Sequence, residues 1–244
     1  MTSPAIPFAL PARRIPWGFL GALAALTALG WGLSLRVAGA GHHGLPLWAR
    51  VVMWTTMMVG MMVPPEVPTL LRLAQEGSGG RWQAVGSASA LLGGHLAVWA
   101  LASAALAVLD ARLGEWGLMT HEMASRSVGL NVAILGAAAL VQLSPWKSAC
   151  LERCRAIPRA VRDGTGRPLW SGVRHGVASV SSCGVLMLVL LVVGAMNWVA
   201  MLVLTALLVA ERLAPPAVAP LLSRLTGVGL LGWAGWLVVS VGFR

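Results

Sequence analysis

A chain of 244 residues that is 57% hydrophobic and only 11% charged, with a mean hydropathy of +0.78, carries more apolar surface than one soluble core can hide. Its formal charge of +10 would point a soluble protein toward nucleic acid, but here Lys and Arg lie between long apolar runs that are almost free of charge. That distribution belongs to loops anchored beside a bilayer, so a lipid partner is expected, and neither nucleic acid nor a soluble enzyme domain is.

At about 20 apolar residues per crossing, the chain reads as one all-α transmembrane domain over 1–244, a polytopic helix bundle. Seven spans fall near 16–36, 47–71, 84–109, 127–144, 176–194, 196–211 and 225–243. The first follows Arg13 and Arg14 and precedes Ala38, Gly39 and Ala40, which imitates a secretory signal, but the run from Ile15 to Leu35 is too long for a signal core. The fifth and sixth form a hairpin turning near 194–197. The sixth is short, which leaves a six-span alternative with one re-entrant segment. Thirteen of the 18 Lys and Arg fall on the side of the N-terminus, most of them in the loop 145–175, and this predicts an N-terminus inside. Twelve Trp and no Tyr, with Trp17, Trp48, Trp82 and Trp198 beside run ends, suit the headgroup level, although some serve packing alone.

The second span, MWTTMMVGMMVPPEVP, holds the densest chemistry. Met53, Met57 and Met61 recur every fourth residue, and Met58, Met62 and Glu66 do the same beside them, so one broad helical face carries five thioethers and a carboxylate. Thioether sulfur is a soft ligand that prefers copper(I), although Met also fills irregular gaps in helical bundles. Pro64, Pro65 and Pro68 free the carbonyls of Gly60, Met61 and Pro64, which predicts a broken helix whose carbonyls need neighbours, water or a cation. An intramembrane carboxylate such as Glu66 is a functional candidate by default, and reach toward the inner interface is its simpler explanation.

Cys150 and Cys154 are four apart, so on a helix both thiols face one way, and Cys183 and Met187 repeat that spacing in the fifth span, with His175 just before it. Three cysteines make no disulfide framework, and free thiols are expected. On the predicted topology these groups and Glu211 approach the inner half of the bilayer with Met62 and Glu66. A looser outer set comprises His42, His43, Met119, His121, Met123, Met196 and Asn197, and chance explains it equally well. His95 lies near mid-membrane, where an imidazole ligates, carries protons or simply hydrogen-bonds. There is no GxSxG, Walker lysine loop, HExxH or Rossmann fingerprint.

Several blocks together resemble the bacterial integral membrane family of predicted metal-binding membrane proteins, domain of unknown function 2182. They are Trp54, Met57, Met61, Met62, Pro64 and Pro68; Gly94 and Trp99; Gln142, Pro145, Lys147, Cys150, Cys154, Arg155 and Pro158; Gly176 through Cys183, Leu186 and Met187; Gly194, Met196, Asn197 and Met201; then Glu211 and Arg212. They cover about two-thirds of the chain. Where relatives tend to carry CxGCC, this chain has SVSSC, so Ser179 and Ser182 stand in place of thiols, Gly184 replaces an aromatic residue, and His95 replaces a tyrosine. The resemblance implies a bacterial inner-membrane location and a link to metal, with copper favoured and zinc as the alternative.

The leading expectation is a multi-pass protein that binds and conducts a soft metal ion. Met57, Met61 and Met62 form the thioether ladder, Cys150, Cys154, Cys183 and Met187 the inner sulfur ligands, and Glu66 the charge partner. The alternatives are a non-catalytic subunit or assembly factor packed against partner subunits of a larger membrane complex, and a membrane metalloenzyme. No catalytic residue is assigned.

Overall fold

The computed structural model describes residues 16–39, 45–77, 80–120, 122–156, 159–195 and 197–242. Among them there is no strand, only ten helices in chain order: α1 (Trp17–Gly39), α2 (Leu47–Glu76), α3 (Arg81–Glu115), α4 (Val128–Leu143), α5 (Pro145–Arg155), α6 (Arg159–Arg162), α7 (Pro168–Met187), α8 (Val189–Val193), α9 (Trp198–Leu213) and α10 (Ala219–Gly242). Of the earlier candidates, His42, His43, His121 and Met196 lie outside the described residues, as do Arg13, Arg14 and Arg244.

Among the described residues, five helical segments are long and apolar enough to cross a membrane: Trp17–Arg36, α2, α3, the run of α7 and α8 from Pro168 to Val193, and Ala219–Ser240 of α10. The bent pair Val128–Leu143 and Pro145–Arg162 passes the same test only when taken together, and makes a sixth where it counts as one broken span instead of a re-entrant loop. Length and composition thus return five or six of the expected seven spans among the described residues. Helix α9 has 16 residues, or about 24 Å at 1.5 Å per residue, short of the ~30 Å hydrocarbon thickness. The loop predicted over 145–175 is itself largely helical, holding α5, α6 and the start of α7.

The breaks have local causes. Ser144 accepts the Lys147 amide and is followed by Pro145 at the first helical position, so α4 stops and α5 starts at a 66° bend. Gly194 takes φ +101°, a conformation open to glycine, and Asn197 then caps α9 by accepting the Ala200 amide.

Helices α2, α3, α7 and α9 make the centre, with α1 laid on α2, α10 on α4 and α5 on α7. The run of α7 and α8 is the most buried of the candidate spans, while α1 and α10 expose Leu29, Leu33, Leu225, Val228 and Trp236. Continuous apolar faces of that kind on peripheral helices are what a lipid-facing surface requires. At the end of the bundle remote from Glu66, Arg50 of α2 meets the buried Asp110 of α3 at 2.6 Å and ties the two helices there.

The prolines of α2 act differently from the sequence expectation. Helix α2 is not broken; it runs through Pro64, Pro65 and Pro68 as one 30-residue element. The Gly60 carbonyl that Pro64 leaves without an amide accepts the Trp31 indole N–H of α1 at 3.1 Å. Gly30 and Gly60 allow that contact, since a Cβ on Gly30 would sit 2.7 Å from the Gly60 nitrogen. A neighbouring helix, not an ion, answers this freed carbonyl. Replacing Trp31 with Phe keeps an aromatic ring but removes the donor, and should cost about 1–3 kcal/mol, read as a lower thermal unfolding midpoint of the detergent-solubilised protein.

Candidate metal centre

Glu66 lies ten residues before the end of α2, about 15 Å along the axis, and is buried at 2% exposure. A carboxylate at that depth cannot persist without positive or hydrogen-bonding partners, and three helices supply them. His175 of α7 places Nε2 2.6 Å from Glu66 Oε2. Arg212 of α9 donates from Nη2 to Glu66 Oε1 at 2.6 Å. His95 of α3 places Nε2 3.8 Å from that same Oε1, beyond hydrogen-bond reach.

The histidines meet because α3 and α7 approach unusually closely. A Cβ on Gly94 would run into the Leu169 carbonyl, and one on Gly172 into the Leu91 carbonyl. At Gly176 it would stand 2.9 Å from Val98 Cβ and 3.0 Å from the His95 carbonyl oxygen. Gly172 and Gly176 form a GxxxG pair with His175 inside it, and Gly94 precedes His95. Backbones held this close bring the imidazole centroids to 5.3 Å, with the rings tilted by 56°.

Among the described residues, Glu66, His95 and His175 are the one group of three His, Cys, Asp or Glu whose ligand atoms all lie within 4.8 Å of one another. His95 is fully buried, yet neither of its ring nitrogens has a hydrogen-bond partner. Buried polar atoms are ordinarily paired, so this imidazole suits a group placed between it and Glu66. Two imidazoles and a carboxylate form a donor set that copper and zinc both accept.

None of the three predicted cysteines is part of this group. Met57, Met61, Met62, Met187 and Cys183 lie in one apolar cluster that also contains Met53, Met58, Met123 and Met201, so the thioether face of α2 does point inward. Cys183 donates its thiol to the Ser179 carbonyl of its own helix at 2.9 Å. Cys154, on helix α5, lies with Sγ 4.0 Å from the His175 carbonyl oxygen. A thiol releases its proton when it binds a metal. Cys150 is buried on the same helix.

Directly behind the centre stands a second ion pair. Arg212 points to Glu66, whereas its neighbour Glu211 points to Lys147 of α5 at 2.8 Å, with both partners 1% exposed. Glu211 also accepts from Gln142 and Ser223, and Lys147 donates to the Ser182 carbonyl at 3.1 Å. Helices α4, α5, α7, α9 and α10 are thereby pinned together. Arg212 uses its other nitrogen, Nη1, to reach the Cys154 carbonyl at 2.9 Å.

A family model described as PpoB2, copper chaperone, matches residues 51–237, a stretch that includes Glu66, His95, His175 and Arg212. This chain belongs to the PpoB2 copper chaperone family. No curated protein and no solved structure matches it. Membership of a copper chaperone family agrees with the metal link expected from the sequence, and the Glu/His/His cluster is compatible with a metal, copper foremost.

Sequence reasoning placed Glu66 at the centre and grouped His175 with it at the inner half, but it left His95 apart at mid-membrane and counted Arg212 and Lys147 as topology signals. The usable signal was the glycine beside each histidine. Changing Lys147 to Met would leave Glu211 buried without its charge partner, a loss of about 3–5 kcal/mol. A K147M/E211L pair should recover part of it, as measured by thermal unfolding of both variants.

Proposed function

We propose that this PpoB2 copper chaperone is a multi-pass protein of a bacterial inner membrane that holds one copper ion inside the bundle, on His95, His175 and Glu66, and passes it to a partner. The observation that carries this reading is His95, wholly buried with both ring nitrogens unpartnered and 3.8 Å from a carboxylate oxygen. A structural histidine in an apolar bundle would spend at least one nitrogen on a neighbour.

The ion is cargo here. The methionine-rich cluster that Met57, Met61 and Met62 of α2 join is chemically suited to a soft ion, and the thiol of Cys154 lies 4.0 Å from the His175 carbonyl oxygen. Met57, Met61 and Met62 are then the approach and Cys154 the exit, with Cys150, Cys183 and Met187 as supporting sulfur. An N-inside orientation, drawn from the Lys and Arg bias, puts Cys154 on the cytoplasmic side, where thiols remain reduced. Zinc fits the same donors and is the competitor to measure.

Purified protein titrated with copper(I) under reducing conditions, against a chromophoric chelator, should bind one ion per chain. His95→Ala, His175→Ala and Glu66→Gln should each weaken binding by more than the about 10–100-fold that loss of an outer-shell partner costs. Met61→Leu and Met62→Leu should slow loading more than they change affinity. Uptake that is absent, or unchanged in all three ligand variants, would sink the assignment.

A further inference from the structure

Resting on that reading, the geometry points to a counter-charge exchange: we propose that Arg212 is the resident cation that copper replaces at Glu66, so that the Arg212–Glu66 ion pair and the bound ion exclude one another.

The first argument is positional. Arg212 Nη2 and His95 Nε2 face the same carboxylate oxygen, Glu66 Oε1, at 2.6 Å and 3.8 Å. An ion shared between His95 and that oxygen competes directly with the guanidinium. The other oxygen, Oε2, faces His175.

The second argument is charge. Glu66 and Arg212 together are neutral, and Lys147 and Glu211 behind them form a second neutral pair. A cation added to this arrangement leaves an uncompensated positive charge in an apolar interior, where repulsion from the adjacent guanidinium is weakly screened. An arginine does not shed its proton to relieve this. Its charge can only be moved.

The third argument is that Arg212 has somewhere to go. Its Nη1 already bonds the Cys154 carbonyl on α5, outside the carboxylate's reach, and its side chain is 9% exposed where Glu66 is 2%. It stands one residue from the end of α9 at Leu213. Rotation about its side-chain bonds would release Glu66 while keeping the α5 contact. The competing solution keeps Arg212 in place and balances charge with a thiolate from Cys154 or Cys183, and it predicts the opposite results.

The test uses the full chain in detergent and the copper(I)–chelator competition above. Arg212→Gln, which removes the competing charge, should bind copper(I) about tenfold tighter than the unchanged protein, within the usual range for coupled sites. Arg212→Lys keeps the charge and should stay close to the unchanged protein. A second measurement needs no variant: phenylglyoxal modification of Arg212, followed by mass spectrometry, should be slow in metal-free protein and several-fold faster after copper(I) loading.

An Arg212→Gln protein that binds no tighter, or an Arg212 equally slow before and after loading, overturns the exchange. If binding still depends on His95 and Glu66 in that case, the metal centre stands and only the exchange falls. Absence of copper(I) uptake by both proteins overturns the two together. Should Arg212→Gln fail to fold, the phenylglyoxal comparison on the unchanged chain decides.

Discussion

A carboxylate ten residues from the end of its helix would be unremarkable in water, but Glu66 is buried on a helix whose other buried residues are mostly Met, Leu and Val. The cost of desolvating a charge there is large enough that the surroundings must be built to answer it. Four helices converge on that need. Helix α2 carries the acid, α7 and α3 each bring an imidazole, and α9 brings the guanidinium. Their mutual placement follows from satisfying one side chain, and so does the second ion pair, which keeps the end of α9 in position.

Close helix approach makes the arrangement attainable. Without the hydrophobic effect to drive helix on helix inside lipid, contact surface and backbone proximity must do the work, and small residues supply both. Gly94, Gly172 and Gly176 do this between α3 and α7, and Gly30 and Gly60 do it between α1 and α2. The first set brings two histidines together. The second lets an indole satisfy a carbonyl that proline had stranded. In both places glycine provides access for a neighbour's polar group, which is a different task from relieving backbone strain.

Much of this was legible in the sequence. Hydropathy located the helices, the four-residue spacings Met57/Met61 and Met58/Met62 placed these thioethers on an inward face, and depth marked Glu66 as an unusual acid. Span number was less legible, because α4 and α9 have 16 residues each and periodicity cannot say whether a short helix crosses or bends back. The broken second helix failed for a physical reason: the rule that proline frees a carbonyl is local, while its remedy, Trp31, is 29 residues away in sequence. The joining of His95 to His175 was hidden similarly. His95 and His175 are 80 residues apart, and only the glycines beside them hinted that their helices touch. Cysteine spacing drew attention to sulfur, whereas the compact ligand group is built from nitrogen and oxygen.

Glu211 and Arg212 are consecutive residues with opposite assignments. Glu211 is held by four residues of three other helices, by Lys147, Gln142 and Ser223 at its side chain and by Arg155 at its carbonyl. The backbone at this point is therefore fixed like a clamped rod, and whatever freedom exists next to it belongs to the free length of the Arg212 side chain. A change of partner at Glu66 would then be confined to a few torsion angles. The bundle would accept and release its cargo without sliding one helix past another, and its outer surface would look the same to a partner in either state. Recognition of a loaded protein would have to occur at the Cys154 face of α5, where the guanidinium arrives, instead of through a change of overall shape.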